Sequence, residues 1–226
     1  MRNLLYKEFK LCTTPTVFIF MAFVLMLLIP NYMYLIPAFF LCNAIFQAFQ
    51  QGDTNNDLSF TMLLPVSKKQ AVMAKYLHAA IIQLVMLLLY IPMILLNNAV
   101  TPQPNEMLDA CPTLLGGVLT VFALFNLIFF PTYYKRGCKP GKGFLIATIV
   151  IFVWIFTFEG FFIVSKAFAD QVWIFNWIQN NIDCIPANSA SMTAQLTAIL
   201  IGLIIYALLT FISFKKSVSN LDKVSL

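Results

Sequence analysis

The sequence predicts an all-α polytopic membrane protein, and three observations carry that expectation. Hydrophobic residues make up 61% of the 226-residue chain and charged residues only 10%, where a soluble domain averages about 25% charged. The apolar residues gather into tracts long enough to cross a bilayer as helix, which takes about 20 residues. The basic residues fall almost entirely in alternate connecting segments, as they do when one side of a membrane collects them. The net charge of +5 is therefore read as a topology signal, and no nucleic-acid partner is expected.

Taken in order, the first ten residues, MRNLLYKEFK, mix polar and apolar side chains. No small-residue cleavage site follows the first apolar run, so the first span is expected to remain in the mature protein. The tract from Leu11 to Gln50 is interrupted at Pro30-Asn31-Tyr32. It reads either as one over-long helix or as a tight hairpin, because Pro30 lacks a backbone donor and Asn suits a turn. Charge favours the hairpin. With spans at roughly 12–29, 32–51, 76–97, 112–133, 143–165 and 194–214, all but Lys166 of the 14 basic residues lie on one side. Six spans with both termini cytosolic in a cell membrane are thus expected, as a single transmembrane domain over 1–226. Segments 98–111 and 166–193 are then external. The second carries Trp173, Phe175, Trp177, Ile178 and Ile182, the aromatic-apolar mix of a helix lying in or dipping into the outer leaflet.

The segment 52–75 is the one long polar break early in the chain. It runs from an apolar strip, Leu58, Phe60, Met62, Leu63 and Leu64, through Pro65, to Ser67 and a basic helix start. Ser67 and Gln70 have the spacing of a capping box. Lys68 and Lys69 sit in the first turn, where the helix dipole disfavours cations. They serve either as membrane anchors or as contacts for a partner or for lipid phosphates. The strip either docks a partner or folds under the chain's own bundle.

Polar groups inside the spans have two readings. Asn43, Gln47 and Gln50 share a face of the second span, while Gln83 and Asn126 are single amides in the third and fourth. Each joins helices by hydrogen bonding or lines a translocation path. Glu159 is an intramembrane carboxylate, a functional candidate by type, unless it reaches the outer interface. The five cysteines make no metal pattern; Cys111 and Cys184 are external and could form a disulfide. The only histidine, His78, is expected to be structural. Gly137 to Gly143 resembles a phosphate loop superficially, but three residues separate Gly137 from Gly141 where four are needed, and Gly143 replaces Ser/Thr. No metal, cofactor or ATPase site is expected in this chain, and the protein is not expected to be an enzyme.

The run LLPVSKKQAVMAKYL at 63–77 resembles the signature between the second and third helices of ABC-2 type permease subunits, through Leu64, Pro65, Val66, Ser67, Lys68, Val72, Lys75, Tyr76 and Leu77. The opening MRNLLYKEFKL, residues 1–11, resembles that family's interfacial elbow helix. The small bacterial members it resembles include exporters of amphipathic peptides such as phenol-soluble modulins. Many such permeases carry an acidic residue upstream of the Leu-Pro; Asp53 and Asp57 are the candidates. The resemblance implies that 52–75 is a cytosolic coupling loop seated in a separate ABC ATPase subunit, which binds ATP and Mg. Phe60, Leu63 and Leu64 would supply its apolar contact, and Asp57, Lys68 and Lys69 its polar rim. It implies a second permease subunit, identical or paralogous, with membrane lipid around both. The expected function is export of a hydrophobic or amphipathic substrate, peptide, lipid-like or drug-like. A peptide-antibiotic immunity transporter of the same type and a non-transporting membrane scaffold are the alternatives.

Overall fold

The computed structural model describes the chain except residues 1, 14, 56, 64, 101–104, 136, 138, 185–187 and 224–226, and gives only the backbone of 2, 11, 12, 58 and 59. Every regular element among the described residues is helical: α1 (Arg2–Cys12), α2 (Pro15–Ala22) continued by a 3-10 segment (Phe23–Leu28), α3 (Ile36–Thr54), α4 (Asp57–Leu63), α5 (Lys68–Val100), α6 (Thr113–Lys135), α7 (Gly141–Ala167), α8 (Trp173–Asn181) and α9 (Ser189–Asp222).

Four of these, α5, α6, α7 and α9, are long and apolar enough to cross a membrane; the number rises to five if Asn3–Lys10 and Pro15–Leu28, set at 75° to each other, count as one broken span. The first two expected spans take a different form. Pro15–Leu28 is short, and its second half winds as tight 3-10 helix. The C-terminal half of α3 carries Gln47, Gln50, Gln51 and Asp53, which lower its apolarity. Between them the chain does break at Pro30-Asn31, and Asn31 takes the left-handed conformation with φ 54°. That conformation suits Asn better than a branched residue. The over-long single helix is excluded, and α2 packs back against α3. The break is tied down from outside. Asn105 Nδ2 donates to the Tyr32 carbonyl at 3.0 Å, and Asn97 Nδ2 donates to the Leu27 carbonyl at 2.5 Å.

The centre of the bundle is α6, 72% buried over its most apolar window, against 11% for α9. Its side chains Phe122, Phe125, Phe129 and Phe130 are fully enclosed. α9 runs parallel to α6 and meets it through glycines. A Cβ on Gly202 would lie 2.8 Å from the Gly116 Cα, and one on Gly116 would lie 2.8 Å from the Ala198 carbonyl oxygen. Small residues let helix backbones approach where lipid supplies no hydrophobic drive. α5 and α7 run antiparallel to this pair. The start of α5, the end of α6, the start of α7 and the end of α9 therefore share one end of the bundle. Lys68, Lys69, Lys75, Lys135, Lys139, Lys142, Lys215, Lys216 and Lys223 gather there, while Lys166 sits at the other end.

The helices overrun the expected spans. α5 has 33 residues, about 50 Å of helix, against a hydrocarbon core of roughly 30 Å. The surplus carries Lys68 to Lys75 beyond the apolar zone. At the opposite end, α8 lies exposed, with Trp173 78% accessible, while Ile178 and Ile182 pack on the core.

Candidate functional site

The polar break expected over 52–75 folds as α4, a short turn, and the start of α5. The turn is closed by a capping box. Gln70 N–H donates to Ser67 Oγ at 3.3 Å, and Ser67 N–H donates to Gln70 Oε1 at 3.1 Å. Two donors at the helix start are thereby satisfied. α5 therefore begins on a capped first turn.

α4 is pinned from beneath by charge. Lys75, on the inner face of α5, donates to Asp57 Oδ2 at 2.9 Å and to Glu8 Oε2 of α1 at 3.0 Å. Lys7 lies 2.6 Å from Asp57 Oδ1 and 3.5 Å from Glu8 Oε1, and it also donates to Thr61 Oγ1. Two cations and two carboxylates thus alternate in a ring that joins α1, α4 and α5. Lys75, Glu8 and Asp57 are almost wholly buried, and Lys75 Nζ stands 5.3 Å from the centre of the Phe49 ring. Burial pushes the Asp57 carboxyl up, but the ammonium groups of Lys75 and Lys7 outweigh it, and the group is held below its ordinary range. Next to the ring, His78 Nε2 meets Thr13 Oγ1 at 2.8 Å, and Phe9 packs edge-on against the imidazole at 4.8 Å. His78 is a packed contact between α5 and the end of α1, as its structural reading expected.

Asp57, expected in a polar rim, is 7% exposed and turned toward the ring. Lys68 is half-engaged as well, donating to the Leu221 carbonyl of α9 at 3.2 Å. Lys69, Pro65 and Ser67 are exposed. Phe60 and Leu63 stand out at 66% and 82% accessibility, while Met62 packs on the core. Leu64 lies outside the described residues, and the side chain of Leu58 does too. Of the two upstream acids, Asp53 is exposed and Asp57 holds the ring. Sequence reasoning missed Glu8. Its signal was there: it is the one acid before Asp53, in a segment otherwise basic.

The intramembrane polar residues separate into two groups. Gln83 and Asn126 exchange a pair of amide hydrogen bonds at 3.0 and 3.1 Å. Tyr206 Oη donates to Gln83 Oε1 at 2.8 Å, and Asn126 Nδ2 donates to Thr210 Oγ1 at 3.2 Å. These groups join α5, α6 and α9, so they act as helix-to-helix bonds. Asn43, Gln47 and Gln50 of α3 make no side-chain hydrogen bond among the described residues. Gln47 and Gln50 line an open cleft of about 470 Å³ with Thr16, Gln51, Thr54 and Asn55.

Glu159, late in α7, meets the 105–110 segment. It is fully buried, and its Oε2 accepts the Leu108 N–H at 3.3 Å. The segment around Leu108 covers it. Lys166 holds that segment, donating to the Asn105 and Met107 carbonyls at 2.6 Å each and pairing with Asp183 at 3.0 Å and Asp109 at 3.3 Å. Burial raises the Asp183 carboxyl, against the pull of Lys166. Cys111 and Cys184 are free thiols, so the disulfide considered for them is not formed. The Cys111 thiol instead donates to the Ile182 carbonyl at 3.4 Å.

The described residues hold no cluster suited to a metal ion. Their arrangement holds helices in register and exposes Phe60 and Leu63 of α4 at the lysine-rich end. No curated protein and no solved structure matches this chain. The sequence model described as ABC-2 family transporter protein matches residues 3–222. A match of that extent, over a helical bundle whose spans and polar break fit a membrane permease, shows that the chain belongs to the ABC-2 family, as a permease that works with an ABC ATPase partner.

Proposed function

We propose that this permease exports a hydrophobic or amphipathic substrate and that α4 is the coupling helix its ATPase grips. The observation that carries this reading is the pairing of an exposed apolar tip with a buried ionic root. Phe60 and Leu63 project from a seven-residue helix whose Asp57 and Thr61 are bonded inward to Lys75 and Lys7. A helix of that length has no stability of its own, so the ring supplies the rigidity that a lever needs. Phe60 and Leu63 form the apolar centre of the contact and Lys69 its rim. α1 acts as the elbow helix, lying on the membrane surface and bonded to the coupling helix through Lys7 and Glu8.

In this reading Pro15–Leu28 and α3 complete six spans, and both termini face the cytosol of the cell that bears the protein. The gathering of lysines at one end of the bundle supports that orientation. Two permease subunits enclose the path. The cleft beside Gln47 and Gln50 is its opening, because unpartnered amides need water or substrate to satisfy them. Gln83, Asn126 and Glu159 are left out of the path, since each is enclosed by its own chain.

The test is co-expression with the ABC ATPase encoded nearest to this chain's gene. Phe60→Asp and Leu63→Asp place a carboxylate on exposed positions, so the isolated permease should insert and melt as the parent does. Co-purification of the ATPase should fall by an order of magnitude or more. Full co-purification and transport with both variants would refute α4 as the coupling site.

A further inference from the structure

We propose that the crevice between α5 and α9 binds one anionic phospholipid, with an acyl chain along the crevice and the headgroup phosphate held by Lys69 and Lys215. The crevice encloses about 580 Å³ and is walled by Met73, Leu77 and Ala80 of α5 and by Leu203, Ala207 and Phe211 of α9. It exists because the two helices are fixed at their polar contacts while alanines stand between. Lys68 bonds the Leu221 carbonyl at one level, and Tyr76 Oη meets Ser213 and Ser217 at 2.6 and 2.9 Å at the next. Tyr206 reaches Gln83 deeper in. Between these levels Ala80 and Ala207 leave room that a larger side chain would fill.

A second cavity, of about 240 Å³, shares Ala80 and Tyr206 with the first and continues to Leu87. The trench from Met73 to Leu87 follows about 21 Å of helix, against roughly 15 Å for half of the hydrocarbon core. That length suits an extended acyl chain. The mouth of the trench is basic. Lys69 is exposed one turn before Met73, Lys215 Nζ lies 4.6 Å from the centre of the Phe211 ring on the trench wall, and Lys216 is exposed beside it. Asp222 is the one carboxylate of α9 at that end. Lysines flanking an apolar crevice between spans match a phosphate on an acyl chain. A second copy of this chain seated on the same face by a two-fold along the membrane normal would oppose like-charged lysine ends. A phospholipid brings the opposite charge.

The proposal needs no ATPase and is tested on the isolated chain. Detergent-purified protein is incubated with phosphatidylglycerol or phosphatidylcholine, washed, and weighed by native mass spectrometry. The parent should retain one phosphatidylglycerol per chain and at least tenfold less phosphatidylcholine. Lys69→Gln with Lys215→Gln should lower phosphatidylglycerol to the phosphatidylcholine level, and Ala207→Trp should abolish both. Circular dichroism checks the helicity of each variant; if Ala207→Trp does not fold, the exposed lysine pair decides alone. Equal retention of the two lipids by the parent would overturn the proposal. So would undiminished phosphatidylglycerol in the lysine variant, or an Ala207→Trp protein that loses a dimer but keeps its lipid. A failure here leaves the permease reading standing, since no ATPase enters the assay.

Discussion

Lys75 is the side chain on which the site depends. Buried ammonium groups are tolerated when carboxylates and further hydrogen bonds meet them, and Lys75 has Glu8 and Asp57 at 3.0 and 2.9 Å. Lys75→Met leaves two buried carboxylates to share Lys7. The loss expected is about 3–5 kcal/mol, the range for breaking a buried pair from one side, measured as thermal unfolding in detergent. Lys75→Met with Asp57→Leu should recover part of it, because the second change removes an unpaired charge. Acid acts on the same ring. The Asp57 carboxyl is held below its ordinary range, with burial opposing and Lys75 and Lys7 prevailing. A depressed carboxyl contributes stability that is present above its unfolded value of about 3.9 and is lost as the pH falls through the lowered one. Asp183 has the opposite sign: burial raises it, so its contribution is present at low pH and is lost as the pH rises through the raised value. Melting the parent and Asp57→Asn between neutral pH and pH 3 separates the two. The difference between the proteins should shrink at the acid end, and a constant difference would show that the ring does not titrate this way.

At the scale of the element, the α6–α9 contact is set by backbone rather than by side chains. The atoms facing a Cβ on Gly202 are the Cα, carbonyl carbon and oxygen of Gly116, at 2.8 to 3.2 Å, and backbone cannot turn aside as a flexible side chain does. Gly202→Val should push α9 away, cost roughly 1–3 kcal/mol or more from overpacking, and lower the melting temperature. Gly160→Ala is the matched control, since nothing lies within 4 Å of its added methyl. Helix propensity favours alanine there by about 1 kcal/mol, so that variant should melt no lower than the parent. Equal effects of the two substitutions would mean that the glycine contact is not what holds α9. α4 obeys a different rule. Among its described side chains the buried ones are Asp57 and Thr61, both bonded into the ionic ring, while Phe60 and Leu63 stand exposed.

For the whole molecule, the two ends of the bundle differ in kind. One gathers lysines and the buried ring; the other is a cap in which Lys166 collects Asp109, Asp183 and the carbonyls of the 105–107 segment. If the lysine-rich end is cytosolic, a membrane-impermeant maleimide added to intact cells should label Cys184. Cys111 should be spared although it belongs to the same end, because it is fully buried. Labelling of a cysteine placed at exposed Lys69, in a background lacking Cys184, would reverse the orientation.

The sequence by itself determined the class, the main spans and the break at Pro30-Asn31. These rest on composition and on local chain stiffness, which no distant contact can override. The same holds for the Ser67–Gln70 cap, whose partners lie three residues apart, and for the lysine asymmetry. The partner of Lys75 was out of reach, because Glu8 lies 67 positions away and only the packing of α1 on α5 brings it near. Asp57 was assigned to a rim through the family resemblance, and a seven-residue helix has no periodicity long enough to tell its inner face from its outer one. As single amides Asn126 and Gln83 read either as helix-to-helix bonds or as path residues, and only packing brings the two together across 43 positions. Tertiary structure alone decided which polar groups are satisfied and which stay open, because hydrogen-bond partners in a bundle of antiparallel and parallel helices are set by packing, not by distance along the chain.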